Sequence, residues 1–100
     1  MRTIKRLSEQ MVCEVEGACE YAKDALEHKM FRPQLAENYF KMAINELDHS
    51  ETLHTFAQKL IKENEATKDI PQCMLDKWEK RHKEFIGKTA MVKIYLDMYR

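Results

Sequence analysis

The sequence predicts an all-α fold, and three observations support that class. The chain of 100 residues contains only two glycines and two prolines, while the helix-favouring Leu, Ala, Met, Glu and Lys are plentiful. Its apolar residues recur every three or four positions, which is the period of a helix with one buried side. The two prolines stand in two short breaks that divide the chain into three segments. We therefore expect a single helical domain over residues 1–100.

The first two segments predict a long antiparallel hairpin over about residues 3–65. The first helix, about 3–29, carries an apolar stripe of Ile4, Leu7, Met11, Glu14, Ala18, Tyr21 and Ala25. Residues 31–33 interrupt it, and Pro33 suits the first turn of the next helix, about 33–65. Because the break is only a few residues long, the two helices must run antiparallel as neighbours.

The third helix is predicted over about residues 72–99, packing against the hairpin or against a partner. Asp69 could cap it and Pro71 could open it. Its seam consists of Leu75, Trp78, His82, Phe85, Thr89, Val92 and Leu96. Near the C-terminus, Ile94, Tyr95, Met98 and Tyr99 widen the apolar surface almost all round. A helix end of that kind needs more than one neighbour, so we expect an oligomer contact there.

Charge and cysteine usage exclude several classes of protein. Seventeen basic residues balance seventeen acidic ones without clustering, which argues against nucleic-acid and membrane-surface partners. No stretch has the length and apolar character of a membrane span, and the charged N-terminus is followed by no apolar region typical of a signal peptide. Cys13, Cys19 and Cys73 match no zinc-site spacing. We expect a cytoplasmic protein with buried, reduced thiols.

Two acidic residues interrupt apolar stripes and are the strongest candidates for chemistry. Glu14 lies within the stripe of the first helix, and Glu46 falls near the middle of the apolar side of the second, with His49 at its margin. That side is formed by Tyr39, Met42, Ala43, Leu53, Ala57 and Leu60. Counted from a turn near Phe31, the two carboxylates should lie at similar heights across the hairpin. With His49, they could bind iron, manganese or zinc, which would balance their buried charge.

The same residues resemble a known family. Glu14, Tyr21 and Glu46-x-x-His49 look like the first half of a rubrerythrin or another ferritin-like di-iron bundle, and the likeness covers roughly residues 11 to 60. It implies that Glu46 bridges two irons, that Glu14 is a terminal ligand and that His49 supplies a nitrogen. Tyr21 would donate a hydrogen bond near the Glu ligands. The implied activity is oxidation of ferrous iron, with Glu14, Glu46 and His49 as catalytic residues, in a ferroxidase or a rubrerythrin-like peroxidase.

The ligand set is only half of what that family uses, and symmetry offers the remainder. A full bundle has four core helices and repeats Glu and then Glu-x-x-His, whereas this chain supplies one hairpin and a third helix. Encapsulated ferritins, which are short helical hairpins with an added helix, are similar in this respect. The resemblance therefore implies a homodimer, or a higher even-numbered homo-oligomer, whose two hairpins complete a four-helix core and a di-iron site.

Other histidines and a second functional class remain open. Glu79 and His82 repeat the Glu-x-x-His spacing, but we interpret His82 as a seam residue with a hydrogen-bond partner, beside a solvated Glu79. His28 and His54 are expected at the surface or its boundary. The alternative function is that of a helical interaction or accessory protein that keeps the bundle without metal. In that case Glu14 and Glu46 should diverge or meet basic side chains.

Overall fold

The computed structural model describes residues 2–67 and 70–100, and within them the regular structure is entirely α-helical. Helix α1 spans Arg2–His28, α2 spans Pro33–Thr67 and α3 spans Gln72–Tyr99. The predicted elements are therefore confirmed, with α2 extending two residues further than expected. Predicted cap Asp69 lies outside the described residues. Pro71 precedes α3, and its carbonyl accepts hydrogen bonds from the backbone N–H of Met74 at 3.0 Å and of Leu75 at 3.2 Å.

The turn between α1 and α2 is short because both helix ends share its hydrogen bonds. The N–H of Arg32 donates to the carbonyl of His28 at 2.8 Å, which satisfies one of the last carbonyls of α1. The N–H of Ala36 then donates to the carbonyl of Arg32 at 2.9 Å, so α2 starts at once. Pro33 is the first residue of α2, where its missing N–H costs nothing. The hairpin forms as the sequence predicts.

Helix α3 packs back on the hairpin and completes an elongated up-down-up arrangement of 54 × 17 × 17 Å. Its direction follows from contacts at its two ends. Arg81 donates to the Ser8 hydroxyl at 3.1 Å near the start of α1, and the Lys23 ammonium lies 5.8 Å from the centre of the Tyr95 ring near its end. Helix α3 is therefore parallel to α1. It rests chiefly on α1 and touches α2 at few positions.

The core lies on α1, the helix on which both others chiefly pack. Its inward residues are mostly small, which lets the neighbouring helices approach closely. The buried apolar residues are Ile4, Met11, Val15, Ala18, Cys19, Ala22 and Ala25 on α1, Ala36, Ala43, Leu47, Ala57 and Ile61 on α2, and Trp78, Phe85, Val92 and Leu96 on α3. The α3 seam was predicted in full, since Leu75, His82 and Thr89 are half-buried between these residues.

The buried side of α2 differs from the predicted one. Ala43 and Ala57 are buried as expected, but Leu47 and Ser50 are buried as well, and Met42 is 41% exposed. Because α3 packs on one flank of the hairpin, the buried side of α2 turns toward α3 by roughly 60° relative to Glu46. Glu46 consequently lies at the edge of the core rather than near the middle of its apolar side. The Ser50 hydroxyl is satisfied within the helix by donating to the Leu47 carbonyl at 2.7 Å.

Two further expectations need correction or stay open. Cys19 is buried, but Cys13 and Cys73 are exposed, so the prediction of three buried thiols is wrong for two of them; all three are free. On α3, Ile86, Ile94 and Met98 are more than half exposed, and the oligomer contact expected at that helix end stays a prediction. Over the described residues, no helix combines the length and the apolar character that crossing a membrane requires.

Candidate metal centre

Helices α1 and α2 bring Glu14 and Glu46 together at one level of the hairpin. The register is fixed nearer the turn, where the rings of Tyr21 and Tyr39 stack with their centres 6.1 Å apart. Going back seven residues along α1 and forward seven along α2 leads to Glu14 and Glu46. Antiparallel helices keep such pairs level, since each residue advances by the same rise. The predicted convergence of the two carboxyl groups is therefore present in the fold.

His49 approaches both carboxyl groups from the next turn of α2. Its Nδ1 lies 3.8 Å from Glu14 Oε2 and 3.9 Å from Glu46 Oε1. One potential ligand atom from each residue lies within 4.8 Å of the other two. Among the residues that the structure describes, this is the one group of three or more His, Cys, Asp or Glu side chains whose ligand atoms converge in this way. The three residues singled out from sequence thus form one cluster.

The two carboxyl groups lie close enough for Glu14 to shift the pKa of Glu46. A side-chain hydrogen bond with Glu14 raises the pKa of Glu46 above its ordinary value, and desolvation and the charge of Glu14 raise it further. The charge of His49 acts in the opposite direction and lowers that pKa. Two carboxylates that repel one another in this way can hold a cation between their oxygens, because the cation offsets the excess of negative charge.

Gly17 leaves the flank of the Glu46 carboxylate open. It lies one turn after Glu14 on α1, and a Cβ placed on it would stand 3.4 Å from Glu46 Oε2. A glycine inside a helix costs roughly 0.5–1 kcal/mol relative to alanine. The position is therefore one where the chain gives up helix stability beside a candidate ligand. Sequence reasoning missed Gly17, although a glycine in the middle of a long helix is a usable signal.

The cluster lies on the side of the hairpin that α3 leaves uncovered, which we call the open face. A groove of about 330 Å³ there is lined by Gln10, Glu14, His49, Thr52 and Leu53. The side chains of Glu14 and Glu46 are 32% and 29% exposed, and that of His49 is 62% exposed. In the single chain the site is thus a shallow groove beside the core, and solvent reaches all three side chains.

The open face is apolar on both sides of the cluster. Toward the start of α1, a second groove of about 360 Å³ is lined by Thr3, Leu7, Phe56, Lys59, Leu60 and Glu63. The Phe56 side chain there is 56% exposed. Toward the turn, Met42 is exposed and the stacked rings of Tyr21 and Tyr39 follow. Much of the apolar stripe predicted for α2 therefore borders the open face.

Tyr21 lies two helical turns from Glu14 and belongs to a stack of rings. Its ring packs on Tyr39, whose ring in turn lies 5.8 Å from that of His28. His28 is half-buried, as expected for a boundary residue. The role proposed for Tyr21 from the family resemblance, a hydrogen bond near the Glu ligands, stays a prediction.

The second Glu-x-x-His pair lies apart from the cluster. Glu79 is exposed, and the His82 ring stacks on Trp78 at 5.2 Å and on His54 at 4.9 Å. Its position in the α3 seam was predicted. His54 is half-buried, as expected for a boundary residue. Its ring packs among those of α3, and its Nε2 is buried with no hydrogen-bond partner among the described residues.

Comparisons with known proteins do not assign the chain to a family. No protein-family model matches the chain, and neither a curated protein nor a solved structure matches it. The resemblance to rubrerythrins and ferritins therefore stays a prediction based on Glu14, Tyr21, Glu46 and His49 and on their spacing.

Proposed function

We propose that the chain is a non-haem di-metal protein of the ferritin-like type, which oxidises or handles ferrous iron at a subunit interface. The observation that carries the proposal is the convergence of Glu14, Glu46 and His49 on one point of the open face. These residues come from two helices whose packing fixes their register. Two carboxylates and one imidazole are ligands that iron, manganese and zinc accept.

The distances in the cluster suit a common ion. Ligand atoms that each lie about 2.1 Å from a metal can be at most about 4.2 Å apart. The two distances from His49 Nδ1, 3.8 Å to Glu14 and 3.9 Å to Glu46, fall below that limit. Small side-chain rotations would therefore suffice to bring the three residues onto one ion. Ionised Glu14 and Glu46 with a neutral His49 carry two negative charges, which a divalent cation neutralises.

A second copy of the chain would complete the centre. One chain offers three ligand atoms, whereas a di-iron centre takes about twice that number of residues. The open face borders the cluster with apolar groups that solvent reaches, including Phe56 and Met42. Two such faces meeting about a two-fold axis would cover these groups and bring two ligand sets together. An even-numbered homo-oligomer with a four-helix core follows from this arrangement.

Each residue has a distinct task in this proposal. Glu46, which lies between Glu14 and the flank opened by Gly17, would bridge the two metal ions. Glu14 and His49 would both bind the same one of these two ions. Bound iron would supply the electrons for the reduction of dioxygen or peroxide. The protein would keep the ligands in place and, once paired, would exclude bulk water from the centre.

The test combines metal analysis, assembly mass and iron oxidation. Purified protein receives ferrous iron without oxygen and is then exposed to air, alongside Glu46→Ala and the matched variant Glu16→Ala, which changes an exposed carboxylate of α1. We expect about one metal per chain in an even-numbered assembly, with oxidation lost in Glu46→Ala and kept in Glu16→Ala. A metal-free protein, or equal oxidation in all three, would reject the proposal.

The second candidate function is a metal-free helical interaction protein, and one observation favours it. When protonated, His49 can form ion pairs with both Glu14 and Glu46, so the carboxylates have a cationic partner within the chain. The two alternatives differ in what His49→Gln does. If His49 is the permanent partner of the carboxylates, the variant lowers the stability of the metal-free fold. If His49 is a ligand, the main loss is in metal affinity.

A further inference from the structure

A stack of four rings joins α2 to α3 on the side opposite the metal cluster. The His54 ring lies 4.9 Å from His82, 4.5 Å from Phe85 and 6.1 Å from Trp78, and the planes of each pair are within 20° of parallel. Trp78 and Phe85 are buried. Since α3 touches α2 at few positions, this ring stack carries much of the contact between the first half of α3 and α2.

His54 is placed where a positive charge is poorly tolerated. Its Nε2 is enclosed and has no hydrogen-bond partner among the described residues. Desolvation lowers the pKa of His54 below its ordinary value, and the nearby His82 lowers it further. A protonated His54 would carry an N–H on the enclosed Nε2, and the side chains of Trp78 and Phe85 offer no oxygen or nitrogen acceptor for it.

The charged groups around the stack do not compensate a proton on His54. From α3, the titratable neighbour is His82 itself. The guanidinium of Arg81 turns to α1, where it donates to the Ser8 hydroxyl and lies 3.6 Å from the Glu9 carboxylate. On α2, Glu51 is exposed to solvent. Within the described residues, no carboxylate lies at ion-pair distance from His54 or His82, in contrast to His49.

We propose that the stacked pair of His54 and His82 is an acid-sensitive latch, which holds the first half of α3 against α2 at neutral pH and releases it on acidification. The closed stack accommodates two neutral rings. Protonation of both would place two like charges on rings 4.9 Å apart, between apolar neighbours. When the first half of α3 separates from α2, water reaches both imidazoles and can solvate the charges that protonation creates.

The direction of the effect follows from the two states. In the open state the His54 pKa returns to its ordinary value, about 6.5, while in the closed state it is lower. As pH falls below about 6.5, the open state therefore binds the proton first, and closure weakens progressively. Above that pH the stack keeps its full stability. The metal cluster lies on the other side of the hairpin, so this proposal does not depend on metal binding.

Hydrogen exchange over residues 72–85 tests the latch. The wild-type chain is compared at pH 7.5 and pH 5.0 with His54→Phe, which keeps a packed ring but cannot titrate. His28→Phe is the matched control, because His28 also stacks on a ring but lies at the hairpin turn. At pH 5.0 we expect exchange in the wild type to be several-fold faster than in His54→Phe, because the open state of the wild type binds the proton more tightly than the closed state. At pH 7.5 the two should agree, and His28→Phe should follow the wild type.

A second measurement keeps the test decisive if His54→Phe does not fold. In the wild-type chain, the imidazole C–H resonances give the titration midpoint of His54, and the fluorescence of Trp78, the one tryptophan in the sequence, reports on the stack. We expect His54 to titrate below its ordinary value of about 6.5 and the Trp78 signal to change with it. Equal exchange in wild type and His54→Phe at pH 5.0, or a His54 midpoint at or above about 6.5, would overturn the latch.

Discussion

His49 and His54 lie five residues apart on α2, yet the two sides of that helix give them opposite environments. On the open face, the His49 side chain is 62% exposed and lies within 4 Å of two carboxylates. On the side facing α3, His54 packs against Trp78 and Phe85, and its Nε2 has no partner among the described residues. The first histidine can carry a charge or bind a cation. For the second, desolvation and the nearby His82 lower the pKa and disfavour a charge.

Residue type and spacing alone therefore do not assign a role to a histidine. Glu79 and His82 repeat the spacing of Glu46 and His49, but only the latter pair meets a second carboxylate across a hairpin. What separates them is the neighbouring helix. Helix α1 presents Glu14 to the open face, whereas it presents Ser8 and Glu9 toward α3, where Arg81 engages both.

The largest expected effect comes from removing an aromatic group on each side of α2. Trp78→Ala empties a buried position and should cost about 3–5 kcal/mol in the free energy of unfolding. Phe56→Ala removes a ring that is 56% exposed on the open face, so the stability of the single chain should change by no more than about 0.5 kcal/mol. Denaturant unfolding at low protein concentration measures both.

The same pair of variants also examines the assembly. If two open faces pair, Phe56→Ala should lower the assembled fraction in sedimentation or size-exclusion measurements while the fold of each chain remains intact. Equal assembly in Phe56→Ala and in the wild type, over the concentration range where the wild type dissociates, would contradict pairing through this face.

A smaller change in stability is expected for Glu46→Gln, and its sign should differ between the metal-free and the metal-bound protein. The folded metal-free chain raises the pKa of Glu46, chiefly through the hydrogen bond with Glu14. Glu46 therefore contributes its full stabilisation of the fold at pH values below its unfolded pKa of 4.5. That stabilisation is lost as pH rises through the higher pKa of the folded state. A neutral amide avoids the loss, so Glu46→Gln should stabilise the metal-free protein at pH 7, by roughly 0.5–1 kcal/mol.

With metal present, the sign should reverse. Bound metal stabilises the wild type by about 2.7 kcal/mol when its free concentration is a hundred times the dissociation constant, and an amide in place of the bridging carboxylate forfeits much of that gain. Thermal unfolding with and without ferrous iron under anaerobic conditions measures both signs. A variant that is less stable than the wild type in the absence of metal would show that Glu14 and Glu46 do not repel one another at pH 7.

The sequence was sufficient for the helices and for the three clustered residues because each depends on local period and register. The short turn at residues 31–33 makes α1 and α2 antiparallel neighbours, which places Glu14 and Glu46 at one level independently of where α3 packs. The seam of α3 was equally readable, because a 3.6-residue period leaves one continuous apolar stripe.

The apolar pattern does not predict on which flank of the hairpin α3 packs, and that position determines how deeply the site is buried. Burial of Leu47 and Ser50, and exposure of Met42, follow from α3 packing on one flank of the hairpin. The apolar surface of α2 is broad enough to pack against two neighbouring helices. The sequence pattern does not show which of these neighbours belongs to the same chain. For the same reason, the enclosure of the His54 Nε2 could not be inferred, because the rings around it come from a helix distant in sequence.

A last prediction, also of modest size, concerns the two glycines. Both Gly17→Ala and Gly87→Ala add helix propensity, worth roughly 0.5–1 kcal/mol. A Cβ at Gly87 meets nothing within 4 Å, so that variant should show the whole gain, whereas a Cβ at Gly17 stands 3.4 Å from Glu46 Oε2. The new methyl group removes water from the carboxylate, which reduces the gain there and crowds a metal on that oxygen. We therefore expect Gly17→Ala, and not Gly87→Ala, to weaken metal binding in a calorimetric titration. Equal affinities would mean that the open flank of Glu46 has no part in holding the ion.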